Sequence, residues 1–315
     1  MFKKRKLISR LWLKYTNKSG YKDYKWDLIN YKQFEFTNFL TGNNKLNNIN
    51  KIKAVADATH KINITHSGNA GDIIYALPTI KKIFEITGAS INLYLRLGRS
   101  VNLPNYNNHP LGGVMLNEAM AGMLMPLIQS QLYINSCEIY ADQSIDIDLD
   151  YFRSGVIPTN GNIARWCGYI TGVSADLWQK WLAITPDTNF TDHIVIARSG
   201  RYQNKAIDYS FINKFDKLAF IGIESEYNDM KQFLPQIKWV KMNDFLQMAQ
   251  IIAGCRFFIG NQSFPYSIAE ALKIPRILEV SYEIINVIPE GEGSHDFFFQ
   301  EHFEWLVDNL SGSGV

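Results

Sequence analysis

The chain has 315 residues, 46% hydrophobic and 20% charged; that is enough for about two domains, and it excludes a collagen-like repeat, a disulfide scaffold and a wholly disordered chain. The formal net charge of +2 hides an uneven distribution: residues 1–20 carry seven basic groups and no acid, leaving 25 basic against 30 acidic residues, a net of −5, in the rest. That acidic body lacks the footprint of a nucleic-acid binder, and no nucleic-acid partner is expected.

Residues 1–58 read as a basic N-terminal extension and linker. Leu7, Ile8, Leu11, Trp12 and Leu13 lie among Lys3, Lys4, Arg5, Lys6, Arg10 and Lys14 at helical spacing. Such a helix suits an anionic membrane surface; the plainer reading is a solvated or docked terminal helix. The Asn-rich run 42–48 reads as a loop or linker.

Residues 59–185 read as a first α/β domain: a strand at 61–65, a glycine-containing loop at 67–72, a helix at 73–86 holding Pro78, a strand at 91–95, a helix at 115–131, and short strands at 138–140 and 145–149. Residues 186–315 read as a second: strands at 193–197, 218–221, 239–240, 256–259 and 276–280, helices from about 226, at 244–253 and 263–272, and a last helix at 297–310 before the flexible tail 311–314. Alternating strands and helices imply parallel sheets covered on both faces. The expected fold is therefore α/β, two Rossmann-like domains facing a cleft.

Three loops at strand ends carry the candidate chemistry. Gly68-Asn69-Ala70-Gly71-Asp72 allows close backbone approach, with a helix N-terminus favouring an anion. Asp72 is either a helix cap or an acid able to take a proton from a substrate hydroxyl; His66 lies beside it. Arg198 to Lys205, with Ser199, Gly200 and Arg201, puts cations after a buried strand, where a diphosphate would suit them. Asn261, Gln262 and Ser263 lead from a strand into a helix whose first N–H groups suit a pyrophosphate, although Ser263 also reads as a plain N-cap. Gly222 and Glu224 follow another strand and are the weaker candidates for a nucleobase contact. The spaced acids Asp146, Asp148 and Asp150 alternate with apolar residues and read as one strand face. Trp166, Trp178 and Trp181 read as packing anchors. Cys137, Cys167 and Cys255 form no CxxC pair and read as buried thiols of a reducing compartment, so no metal is expected. No segment reads as a membrane span or signal peptide. The expected location is the cytoplasm, with peripheral attachment at the inner face of the membrane.

These segments resemble a known family. Ser67–Ile80 (SGNAGDIIYALPTI) is similar to the N-terminal signature of family 9 glycosyltransferases, the ADP-heptose:lipopolysaccharide heptosyltransferase group. Phe258–Leu272 resembles their C-terminal signature, Ala197–Lys205 their intervening lysine-ended loop, and Ile145–Arg153 the stretch before the interdomain crossing. The resemblance spans residues 61–280 in order. It implies a GT-B fold and metal-independent, inverting transfer of a sugar from a nucleotide-sugar co-substrate to a glycan, glycolipid or protein acceptor, without a further cofactor. By position it implies Asp72 as general base, with His66, Asn69 and Gly71 on the acceptor side. It also implies that Lys205 contacts donor phosphate and that Ser263 lies in the donor turn. Gln262, Phe264 and Ser267 stand where the family keeps Asp, Gly and His, so heptose is not implied as the sugar. Asn69-Ala70-Gly71-Asp72 also matches the Asn-x-Gly-Asp loop of polysaccharide pyruvyl transferases, and a non-catalytic binding protein of the same fold is the third reading.

Overall fold

The computed structural model describes residues 2–41, 48–101, 112–150 and 161–312. The expected linker thus lies outside the described residues except Asn48, as do Arg153 and the last residues of the tail. Two compact units divide the chain after Lys45.

The first unit is a helical hairpin. α1 (Leu7–Thr16) turns at Asn17, whose side chain accepts the Gly20 N–H at 2.8 Å and opens α2 (Lys18–Leu40). Phe2 stacks on Tyr24 and lies against Tyr31, with ring centroids 5.6 and 5.1 Å apart, and the Arg5 N–H donates to the Tyr24 hydroxyl. α2 was not legible as a helix, because its aromatics lie around the whole circumference rather than on one face.

The second unit begins with α3 (Ile49–Thr59), capped by Asn48. Its buried Ile52 and Ala56, four residues apart, share one face. That face packs on β1 (Lys61–His66) and α4 (Ala70–Thr87). The boundary expected at 58/59 falls in the last turn of this helix. β2 (Ser90–Leu95), α5 (Glu118–Gln129), β3 (Ser136–Ile139), β4 (Ile147–Asp148) and α6 (Ile163–Thr171) complete the first half. Its sheet runs β3-β2-β1-β4, all parallel.

The second half comprises β5 (Ile194–Ala197), β6 (Leu218–Phe220), α7 (Glu224–Phe233), β7 (Lys238–Trp239), α8 (Phe245–Gly254), β8 (Phe257–Asn261), α9 (Phe264–Leu272), β9 (Arg276–Glu279), β10 (Ser294–Phe297) and α10 (Gln300–Leu310). Its parallel sheet runs β7-β6-β5-β8-β9-β10, the strand order of a dinucleotide-binding fold. β5 and β8 are buried throughout, as strands covered on both faces must be. The helix expected from Phe297 starts instead at Gln300, because the polar run Ser294-His295-Asp296 ending at Phe297 forms the edge strand β10.

The halves meet by helices: α4 packs on α9 and α5 on α8, so one apolar core runs from Ile52 to Val287 across both sheets. A proline helps make this joint. Pro78 inside α4 has no N–H for the Ile74 carbonyl four residues earlier. The indole N–H of buried Trp181 takes that carbonyl at 3.1 Å, while the Trp181 backbone N–H donates to Ala271 O of α9. Among the described residues no helix is long and apolar enough to cross a membrane.

Candidate active site

Open α/β sheets bind ligands beyond the carboxyl ends of their strands, where strand order reverses. Those points lie between β1 and β4 in one half and between β5 and β8 in the other. Both carry the same device: a polar side chain at or just past the end of the later strand holds the backbone that leaves the earlier one.

After β1, three successive backbone N–H groups turn inward. Ser67 N–H donates to the buried Asp150 carboxylate, Gly68 N–H to His66 Nδ1 at 3.0 Å, and Asn69 N–H to Asp72 Oδ2 at 2.9 Å. These donors are consumed internally, so this loop does not present them to an anion as its glycines suggested. His66 is fully buried in this arrangement. Gly68 is required by space: a Cβ would sit 2.7 Å from His66 Cε1 and 2.8 Å from Asp72 Oδ2. Asp72 caps the start of α4, one of the roles read from the sequence, and its residue also lines the cavity described below. Asp146 and Asp148 serve structure too: Asp146 accepts the Asn63 N–H at 2.8 Å and Asp148 pairs with Arg96 at 3.7 Å.

After β5, the Asn261 amide does the holding. Its Oδ1 accepts the Ser199 N–H at 3.0 Å, and its Nδ2 donates to the Ser199 and Arg201 carbonyls at 2.9 and 2.7 Å. Asn261 is fully buried and joins two loops. Arg198 turns inward, its guanidinium forked onto the buried Glu279 carboxylate at 2.7 and 2.8 Å, with the Tyr209 hydroxyl on the same carboxylate. Gly200 N–H donates to Glu226 Oε1 at 3.2 Å, and burial pushes that carboxyl above its usual range. Because Glu279 also holds the Asn204 N–H, the chain beyond it leads away. Lys205 lines a separate pocket of about 390 Å³ against α7.

Between the halves lies a cavity of about 620 Å³. It brings together Asn69, Gly71 and Asp72 from the first half with Ser199, Arg201, Gly222, Glu224, Gln262 and Ser263 from the second. His66, Gly200, Lys205 and Asn261 do not line it. The sequence reading missed Tyr75, Trp239, Lys241, Phe245, Asn286 and the methionines 120, 123, 242 and 248, all of which do. Tyr75 stands one turn beyond Asp72, a spacing that would have revealed it; burial holds its hydroxyl well above the usual range, so it stays protonated.

On the donor-side wall, Ser263 occupies the cap position of α9, but its hydroxyl turns to the Asn261 carbonyl at 3.2 Å rather than capping. Phe264 packs its ring on Phe245, centroids 4.3 Å apart. Gln262 is buried, donates from Nε2 to Asn286 Oδ1 at 2.7 Å, and keeps Oε1 without a partner among the described residues. Trp239 is set by stacking on Tyr227, by Lys241 Nζ over its ring at 4.7 Å and by an indole bond to Gly222 O at 3.1 Å.

No family model matches the sequence, and no curated protein sequence matches it significantly. Solved structures match in shape. A glycosyl transferase family 9 structure from Veillonella parvula DSM 2008 aligns with a TM-score of 0.51 at 11% identity, over 81% of this chain and 90% of that one. The chain shares the fold of that glycosyltransferase. Looser likenesses are to E. coli heptosyltransferase WaaC with ADP, TM-score 0.48 at 10% identity over 79% of this chain and 99% of that one. The glycosyltransferase TibC from enterotoxigenic E. coli H10407 gives 0.47 at 11%, over 76% and 62%. Two Rossmann-like halves meeting over a cavity are the architecture that the sequence resemblance implied.

Proposed function

We propose that the protein transfers a sugar from a nucleotide-sugar donor to a hydroxyl of a glycan, glycolipid or protein acceptor, with Asp72 as general base. The observation that supports this reading is a single cavity lined by a carboxylate from one half and by a helix N-terminus with cations from the other. The first-turn N–H groups of Phe264 and Tyr266 have no intrahelical acceptor, and Pro265 has none to offer. With the helix dipole they suit the donor diphosphate, and Arg201 and Lys241 stand on the same side. The nucleobase lies toward Gly222 and Glu224.

Asp72 takes the acceptor O–H proton as that oxygen bonds to the anomeric carbon. The carbon–oxygen bond to the diphosphate breaks, and the nucleoside diphosphate leaves with the electron pair. Attack opposite the leaving group inverts the anomeric centre. We assign the developing negative charge to the α9 N-terminus and the two cations. The three cysteines, free and buried, suit a cytoplasmic site of action.

Asp72→Asn is expected to lower transfer by about 10²–10⁴-fold while a nucleoside diphosphate still raises the melting temperature by mass action. Undiminished turnover overturns Asp72 as base. Absence of a thermal shift with every nucleotide and nucleotide-sugar overturns the donor assignment. Arg201→Ala is expected to shrink the nucleotide shift.

A further inference from the structure

We infer that α1 is a docking surface for an anionic lipid bilayer. This stands apart from the transfer reaction and rests on the first unit alone. α1 is ten residues long and buries none of them. Leu7, Ile8, Leu11, Trp12 and Tyr15 recur at i, i+1, i+4, i+5 and i+8, which places them on one side of the helix. All five are exposed, Ile8 and Tyr15 to 82% and Trp12 to 71%. The contact with α2 lies elsewhere: Leu13, outside this stripe, is half-buried, and the buried Tyr24 belongs to α2. A contiguous apolar stripe left in water marks an interaction surface.

Its surroundings specify the partner. Arg10 and Lys14 stand three residues after Leu7 and Leu11 and so border the stripe, and Lys3 to Lys6 precede the helix. Of these, Lys4 reaches Glu35 at 3.7 Å and Arg5 lies over the Tyr24 ring at 5.8 Å, which fixes the basic end to α2. Seven cations without an acid in residues 1–20 repel a basic partner and attract a negatively charged one. Long basic side chains beside Leu, Ile and Trp allow the stripe to sink among acyl chains while the charges remain at headgroup level. The rest of the chain is net negative, so residues 1–20 are the part such a surface draws in.

The test uses the full-length protein with vesicles of phosphatidylcholine alone and vesicles in which about a third of the lipid is phosphatidylglycerol. Co-sedimentation should be at least about tenfold stronger on the anionic vesicles and should weaken with salt. The pair Leu11→Ser with Trp12→Ser, and separately Arg10→Gln with Lys14→Gln, should each reduce it by about tenfold or more. Because α1 buries no side chain, both variants should keep the parent melting temperature and nucleotide response. Equal sedimentation with both vesicle types, or binding unchanged in both variants, overturns the proposal. So does light scattering in which Leu11→Ser with Trp12→Ser converts an oligomer to a monomer, since a second copy then covers the stripe. Loss of RNA binding in the basic variant without any vesicle binding also overturns it.

Discussion

At the scale of single residues, Trp181 shows how one side chain repairs what another leaves open. Pro78 withholds a donor from Ile74 O, and the Trp181 indole supplies one from the interdomain crossing. Trp181→Phe keeps the ring but strands a buried carbonyl, at a cost of about 1–3 kcal/mol. That corresponds to about 2–4 °C of melting temperature per kcal/mol for a domain of 150–250 residues. Pro78→Ala restores an N–H at the same place, so it should recover stability in the Trp181→Phe background and do less in the parent. Equal effects of Pro78→Ala in both backgrounds would refute the coupling. Residue type alone did not decide which cations face the cavity. Arg198, Arg201 and Lys205 look alike in sequence, yet one is spent on Glu279, one lines the cavity and one leads into another pocket. Only the inward turn at Glu279 separates them, and that residue is 81 positions from Arg198.

At the scale of elements, legibility followed burial. β5 and the start of β8 were readable because buried parallel strands are apolar runs, and α4 and α9 because glycine or serine precedes an apolar helix. α3 and α6 show only one or two turns of buried face among lysines, asparagines and aromatics, too little for a periodic signal. The methionines of the cavity were unreadable as site residues because nothing distinguishes them from core. α9 ends in a further device. Lys273 holds a left-handed conformation, φ 55°, more usual for glycine. Its Nζ donates to Glu270 and to Glu290 O within a buried cluster with Arg276.

Burial pushes the Lys273 ammonium down to about 8, whereas the unfolded chain keeps that proton to about 10.4. Between these values the unfolded state binds more protons, so this group makes stability rise with pH. The window closes near pH 10 (about the ordinary tyrosine range), where the buried Tyr209 and Tyr266, held well above it, begin to favour unfolding. Urea midpoints of the parent and Lys273→Gln should diverge in the parent's favour between about pH 8 and 10; a constant difference refutes the assignment.

At the scale of the whole molecule, two sheets do not make two independent bodies. The apolar core crosses from α4 and α5 into α8 and α9, so parting the halves would open a core they share, although the second half also holds a cluster of its own around Phe220 and Phe303. Residues 46–315 should therefore unfold in one calorimetric transition with matching calorimetric and van't Hoff enthalpies. Amides of β1 and β8 should lose hydrogen-exchange protection together. Two separate transitions assigned to the two sheets would refute this.

The same joint governs how the cavity adjusts to what enters it. Wide parting of the halves would hydrate α4, α5, α8 and α9 at once, and both strand-end loops are stapled to their own sheets by Asp150 and Asn261. The compliance sits instead in Met120, Met123, Met242 and Met248, unbranched thioethers that change rotamer at little cost. Such a lining moulds itself around guests of different outline without any displacement of the backbone. Shape tolerance would then be set by four side chains, and tightening them to leucine would narrow the range of molecules admitted while leaving the frame unchanged.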